Sequence, residues 1–552
     1  MANTIYNGAI SGESFVVGPQ VSHGGIMNIH FANRTGPVTA IRPPFSNVPY
    51  RSDPHHIDRP KIMKWLRERL GPPSNSTHSR AALFGLSGIG KSKLAIRYAE
   101  EFQKEFPQAY VFWVTAGSKE SFVQGFRRIA EDLRLPDPSG SGNDMLRRVR
   151  SWLCDNENVQ WLLILDNAND YRVFRDQRTT SDVPPAIDSE ALETFLPQTD
   201  NGRILITSWS QRTAEILALS HEDTCAVPEM DEDQARLLFS KKLGEFGESD
   251  DIVRKVVLAL NCIPLSISQA AAYIHKLRPW MTCAKYLEKF NGRNFVVLSS
   301  RDSEGRYSFD AKNREVEIKT WQITFNQIRD ERQSAADLLS LMSFFQPQGI
   351  PGWVLRKYYS ERDNKDSSTD ASNDGEDEFE DDLTLLRDYS LVTVAQDERS
   401  FQMHSLVQSF TRSWLETSQV DHNWRCCFRR LMINNYPPPV AERWGVCGEL
   451  TPHIEPLVTT TARQLEDVDE TICFVELLRK VGEYNLAMAM YETALRIINK
   501  AEQLAVQMLG QQVCQGGGGA DTGPHPGLKP SHHTVRPLNP QHMAVATARC
   551  LA

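Results

Sequence analysis

The stretch GLSGIGKS, residues 85–92, constrains this chain more than any other eight residues in it. Apolar AALF (81–84) precedes it, and KLAIRYAEEF (93–102), with helical spacing, follows. A strand, a loop reading G-x-x-x-x-G-K-[ST] and a helix together make a phosphate-binding loop. The residue types follow from its mechanics. Gly85, Gly88 and Gly90 let the backbone curl so that N–H groups converge on an anion at a helix N-terminus. The expected nucleotide-binding set is Gly85, Ser87, Gly88, Ile89, Gly90, Lys91, Ser92 and Lys93. Within it Lys91 reaches the β- and γ-phosphates and the Ser92 hydroxyl ligates Mg²⁺.

The second constraint is WLLILDNAND, residues 161–170. Five apolar residues running into Asp166 read as a buried strand that ends at a metal-binding carboxylate. Asp166 then joins Ser92 as the Mg²⁺ set, and Lys91, Asp166 and Asn167 are the candidate catalytic residues. Many ATPases carry a second acid at the position of Asn167. An amide can orient a water but cannot take its proton, so hydrolysis is expected to be slow unless Asp170 or another acid substitutes.

Four more short β-like runs, AALF aside, lie at YVFWV (110–114), WLLIL (161–165), RILIT (203–207) and TCAV (224–227), with helical stretches between. That alternation predicts an α/β P-loop NTPase with a parallel, doubly wound sheet over residues 49–229. Residues 230–350 read as helical. Residues 351–420 read as a winged-helix unit with a solvated acidic loop at 361–382, and residues 421–510 as a further helical region. Residues 511–552, rich in Gly, His and Pro from Gly516 onward, have no period and are assigned no structure.

The acidic loop holds eleven acids and two bases, which accounts for the whole net charge of −9. The remainder is balanced, so nothing calls for nucleic acid. Ten scattered cysteines without C-x-x-C spacing argue against a zinc site or a disulfide framework. No apolar run approaches the roughly 18 residues of a membrane span, and no secretory signal opens the chain; the expected location is the cytoplasm. Residues 1–48 are Gly- and Asn-rich, with Glu13 as their first formal charge and Arg34 the next. Their MNIHF (27–31) alternates like a strand, which is the pattern of stacking between chains.

These motifs resemble the nucleotide-binding NB-ARC domain of STAND ATPases, above all in fungal NOD-like receptors that end in tetratricopeptide repeats. The likeness spans about residues 49–500. HHIDRPKIMKWL (55–66) is similar to the segment that packs on adenosine, which implies Ile57 and Arg59 near the base. VFWVTAGSKESF (111–122) and GRILITS (202–208) resemble the second and fourth strands. NCIPLSISQAAAYI (261–274) resembles a G-L-P-L helix start, implying Pro264 against adenine. FQMHSLVQ (401–408) resembles the M-H-D motif, implying His404 at the β-phosphate of ADP. Two positions depart from the pattern: Ser405 replaces the acid of M-H-D, and Trp209 stands where an arginine senses the γ-phosphate, with Arg212 three residues on. GEYNLAMAMYETAL (482–495) has the second-helix spacing of one tetratricopeptide unit.

The resemblance implies an ADP/ATP- and Mg²⁺-dependent switch that self-oligomerises when a trigger reaches its C-terminal region. Residues 1–48 would then pass the signal to a partner protein bearing a similar motif, with cell death or non-self recognition as the output. Two rival readings remain open at this point. One is a conventional P-loop ATPase, and the other is a repeat-type interaction scaffold with a structural nucleotide.

Overall fold

The computed structural model describes residues 43–71, 79–135, 142–156, 159–175, 191–244, 247–292, 295, 311–363, 374–460, 465, 468–488 and 490–516. The strand-like MNIHF and the tail beyond Gly516 lie outside them.

After a first helix, α1 (Pro60–Leu70), the chain alternates as its pattern requires. The elements are β1 (Ser79–Phe84), α2 (Lys91–Glu105), β2 (Tyr110–Thr115), α3 (Lys119–Asp132), α4 (Gly142–Asp155), β3 (Trp161–Asp166), β4 (Gly202–Ser208), α5 (Gln211–Ala218) and β5 (Thr224–Ala226). The five strands form one parallel sheet in the order β2-β3-β4-β1-β5. Successive residues on a strand face opposite sides, and here both sides are covered. Phe112, Val114, Leu163, Leu165, Ile204 and Ile206 fill one core layer. Val111, Trp113, Leu162, Ile164 and Leu205 fill the other. That is why the strands read as continuous apolar runs.

The helical part follows as α6 (Glu232–Leu243), α7 (Asp250–Ala259), α8 (Pro264–Lys276), α9 (Cys283–Asn291), α10 (Ala311–Glu331) and α11 (Gln333–Met342). Asp231 opens it with a reciprocal capping box to Gln234. Next come β6 (Ile350–Pro351), α12 (Gly352–Asp363), α13 (Asp374–Asp388), β7 (Val392–Val394), β8 (Ser400–Met403) and α14 (Ser405–Thr417). Their antiparallel sheet, β6-β8-β7, beside helices makes the winged-helix unit.

Of the acidic run 361–382, predicted from its composition to be a solvated loop, residues 361–363 close α12, residues 364–373 lie outside the described residues, and the rest is helical. Residues 374–382 are the first part of α13. Phe379, Leu383 and Leu386 bury one helical face, and the neighbouring acids meet arginines. Arg356 pairs with Glu380 at 2.7 Å, and Arg362 pairs with Glu378. Asp382, fully buried, accepts from Arg332, from Ser334 Oγ at 2.8 Å and from Tyr359 OH at 2.6 Å. Like-charge repulsion is overcome because the charges face partners on other elements.

The last described helices are α15 (Asp421–Asn435), α16 (Trp444–Ile454), α17 (Val468–Ala487) and α18 (Tyr491–Gly516). The repeat-like GEYNLAMAMYETAL is not one helix. It runs through the end of α17, a break near Met488, and the start of α18. Gly482 stays inside α17 because α18 crosses there, and a Cβ at that position would lie 2.6 Å from Ile498 Cγ1. Of the spaced residues, Tyr484 and Ala494 are buried while Tyr491 and Leu495 are exposed. No described helix is long and apolar enough to cross a membrane.

Candidate functional site

Parallel register brings the C-terminal ends of β1, β4 and β3 side by side. Phe84 pairs with Ser208 and Leu165 with Ile206, so the phosphate loop and Asp166 flank the end of β4. The loop bends as its glycines permit: φ is +150° at Gly85, +77° at Gly88 and +98° at Gly90. At Gly85 a Cβ would also lie 2.7 Å from Val227 O. Gly90, left-handed, caps α2, whose first residues are Lys91 and Ser92. The N–H groups of a helix start thus face the loop, the arrangement that receives phosphate.

Asp166 is 1% exposed and fully engaged. Its Oδ1 accepts from Ser92 Oγ at 2.6 Å and from Thr207 Oγ1 at 2.7 Å. Its Oδ2 accepts from Gln348 Nε2 at 2.8 Å. Ser92 Oγ and a carboxylate in direct contact are hard oxygen donors, the set Mg²⁺ takes, so these residues fit that ion.

Lys91 Nζ donates to Gly85 O at 2.9 Å and Leu86 O at 2.7 Å. Burial pulls its pKa down to about 8, against the opposing charges of Asp166 and Glu317. Glu317, from α10, is buried beside the loop; a Cβ on Gly88 would lie 3.4 Å from its Oε1. Lys93 instead pairs with Asp53 at 2.5 Å, which Lys242 also reaches at 2.9 Å. Burial raises the Asp53 carboxyl, but the two ammoniums override it and hold it well below the usual range.

The helical part touches the loop directly. Pro264 is the first residue of α8, and the next residue, Leu265, donates its N–H to Gly88 O at 3.2 Å. Ile57 is buried in the large core shared by the helical and winged-helix parts. Arg59 lies buried with Nη2 donating to Pro228 O at 2.8 Å and Glu229 O at 3.2 Å. It therefore fixes the segment between β5 and α6.

The winged-helix unit supplies His404, which caps α14 by accepting the Leu406 N–H at Nδ1, 3.2 Å away. Burial first, and then the charges of Lys91 and Lys93, lower its pKa to about 4. Its imidazole is therefore held neutral within electrostatic reach of those two lysines. Ser405, in the position of the M-H-D acid, is exposed.

Asn167 takes φ of +65° and donates its N–H to Thr207 Oγ1 at 2.9 Å, while its Oδ1 accepts from Asn169 Nδ2 at 2.5 Å. Asp170 accepts from the Arg172 backbone and guanidinium. Arg212 stacks over the Tyr171 ring at 4.7 Å, and Trp209 is 40% exposed. A cleft of about 1510 Å³ runs from Leu86 and Ser87 past Thr115, Asn167 and Trp209 to the winged-helix unit.

Sequence reasoning missed Thr207, Glu317 and Gln348. Thr207 had a local signal, a hydroxyl closing an apolar strand. The other two come from the helical and winged-helix parts and had none.

The sheet and its loop define a P-loop nucleotide-binding α/β protein with appended helical and winged-helix parts. The chain is 28% identical over 475 residues to a "Nucleotide-binding leucine-rich repeat (NLR)-like protein" of the fungus Hyaloscypha variabilis, across 84% of this chain and 45% of that one. It is 24% identical over 299 residues to "Regulatory protein AfsR" of Streptomyces griseus, across 52% of this chain and 27% of that one. The AfsR of Streptomyces coelicolor is 26% identical over 356 residues, across 62% and 30%. A profile described as "Domain of unknown function (DUF7779)" matches residues 326–420. A solved structure, Cdc6p of Pyrobaculum aerophilum, covers 66% of this chain and 97% of its own at 13% identity and a TM-score of 0.30, a slight likeness. The resemblance to fungal NOD-like receptors thus extends along most of the chain, which spans less than half the length of each curated relative.

Proposed function

We propose that the chain is a nucleotide-dependent switch of the STAND kind, in which ADP bridges the sheet domain to the helical and winged-helix parts. One observation carries the reading: the phosphate loop and its carboxylate are contacted from α8 and from the loop that leads into the winged-helix unit, with His404 of that unit within electrostatic reach. Leu265 reaches Gly88, Gln348 reaches Asp166, and His404 stands near Lys91 and Lys93. The names of the relatives, an NLR-like protein and a regulatory protein, support the same reading.

In this proposal the backbone from Gly85 to Lys93 cradles the phosphates, and Lys91 turns from its own loop to neutralise them. Ser92 and Asp166 would hold the Mg²⁺ that enters with ATP and offsets its phosphate charge. Pro264, Ile57 and Arg59 form the adenine side. His404, neutral with Nδ1 already accepting, has Nε2–H to donate to the β-phosphate. Hydrolysis is slow: Asn167 cannot serve as a base, and Asp170 is engaged by Arg172. Exchange of ADP for ATP would favour an open form that oligomerises, in the cytoplasm. Clustering would raise the effective concentration of residues 1–48, and these would seed a partner with a similar motif toward cell death or non-self recognition.

The test is nucleotide extraction from purified protein, with Lys91→Ala as control. Near-stoichiometric ADP in the wild type and none in the variant is the expected result. An empty wild-type protein with brisk ATP turnover would overturn the switch in favour of an enzyme.

A further inference from the structure

Among the contacts that reach the phosphate site from the appended parts, Gln348 is the one whose side chain touches the Mg²⁺ carboxylate itself. Its Nε2 donates to Asp166 Oδ2 at 2.8 Å, and its Oε1 accepts from Thr115 Oγ1 at 2.6 Å. The amide orientation is forced, because an ionised carboxylate only accepts. With Ser92 and Thr207 on Oδ1, the amide takes the oxygen that remains.

Gln348 is itself held from far along the chain. Its loop, residues 346–349, joins α11 to β6. Gln346 N–H donates to His453 Nδ1 at 3.0 Å, so the His453 proton sits on Nε2, which donates to Gly349 O at 3.1 Å. One imidazole from α16 thus clamps both ends of the loop. Phe345 packs edge-on against the same ring at 5.3 Å, and Pro347 O accepts the Met403 N–H at 2.9 Å, one residue before His404.

We propose that Gln348 is an amide latch: it competes with Mg²⁺ for Asp166, and His453 makes the latch answer to the C-terminal helices. It rests on the nucleotide-switch reading. Occupation of Oδ2 by the amide and engagement of Asp166 with a metal–nucleotide oppose each other, and the coupling is reciprocal. Seating Mg²⁺ expels the loop, and a shift of α16 that withdraws His453 favours the metal.

The experiment follows release of a fluorescent ADP analogue across a Mg²⁺ titration, for wild type, Gln348→Ala, His453→Ala and the double variant. Losing one hydrogen bond to a charged group should tighten apparent Mg²⁺ affinity about tenfold in Gln348→Ala. His453→Ala should shift it the same way by less, and the double variant should match Gln348→Ala, since both act through one contact. In the wild type, amide hydrogen exchange of residues 346–349 should be faster with Mg²⁺ and ATPγS than with ADP in EDTA. This decides the matter even if a variant fails to fold. Unchanged Mg²⁺ affinity in a folded Gln348→Ala, or identical exchange in the two wild-type states, overturns the latch alone. A wild type that holds no nucleotide overturns the latch and the switch together.

Discussion

Thr207 and Asp166 share a hydrogen bond of 2.7 Å across the ends of β4 and β3, and the same Thr207 hydroxyl oxygen accepts the Asn167 N–H at 2.9 Å. Thr207 is 1% exposed. Thr207→Val keeps the shape but strands the Asn167 donor and removes one donor from a buried carboxylate. Stability should fall by about 1–3 kcal/mol in denaturant unfolding, and Thr207→Ser should restore most of it. A Val variant as stable as wild type would show that the two hydrogen bonds of the hydroxyl contribute nothing net to folding.

Gly88 carries the contact between the phosphate loop and α8. With φ at +77° and Leu265 Cβ 3.1 Å from any added methyl, Gly88→Ala strains the backbone and pushes α8 away. Strain of this kind costs about 1–3 kcal/mol, or roughly 5- to 150-fold in bound-state population. Retained ADP, measured by extraction, should drop sharply while far-UV circular dichroism stays unchanged.

His453, 2% exposed, is lowered to about 4 by burial, with its bond to Gly349 opposing. Between pH 6.5 and 4 the unfolded chain binds a proton that the folded one refuses, so stability rises with pH across that window. Acidification through it should cost about 3 kcal/mol from this group, complete near pH 4. His404 acts in the same direction. In His453→Gln the slope of unfolding free energy between pH 4 and 6.5 should flatten, whatever the variant's stability at pH 7.

Asp382 and Asp377 belong to one acidic run but differ in consequence. Asp382→Ala leaves Arg332, Ser334 and Tyr359 without their shared acceptor, and should cost about 3–5 kcal/mol. Asp377 is exposed, so Asp377→Ala should stay within about 0.5 kcal/mol. Equal effects in thermal unfolding would contradict the packing of α13.

What could be read beforehand is what depends on near neighbours in the chain. The five strands show because both sheet faces are buried, so their residues are apolar without interruption. The phosphate loop shows because glycine, lysine and serine must fall within eight residues. Asp166 shows as a charge at the end of such a run. Gln348 could not, since its partner is 182 positions away and nothing in QPQG marks an amide bound for a carboxylate. The acids of α13 misled because composition records their charge but not Arg332, Arg356 and Arg362 opposite. The repeat-like spacing reads as one helix, whereas it runs across the end of α17 and the start of α18, and Gly482 is the thin point at which α18 crosses.

Three indoles, Trp113, Trp209 and Trp444, border the large cleft that begins at Leu86 and Ser87. The chain therefore carries its own fluorophores where its parts meet. Their emission and quenching will register the opening or closing of that cleft without any attached dye, and Trp113→Phe, Trp209→Phe and Trp444→Phe will show which indole reports it.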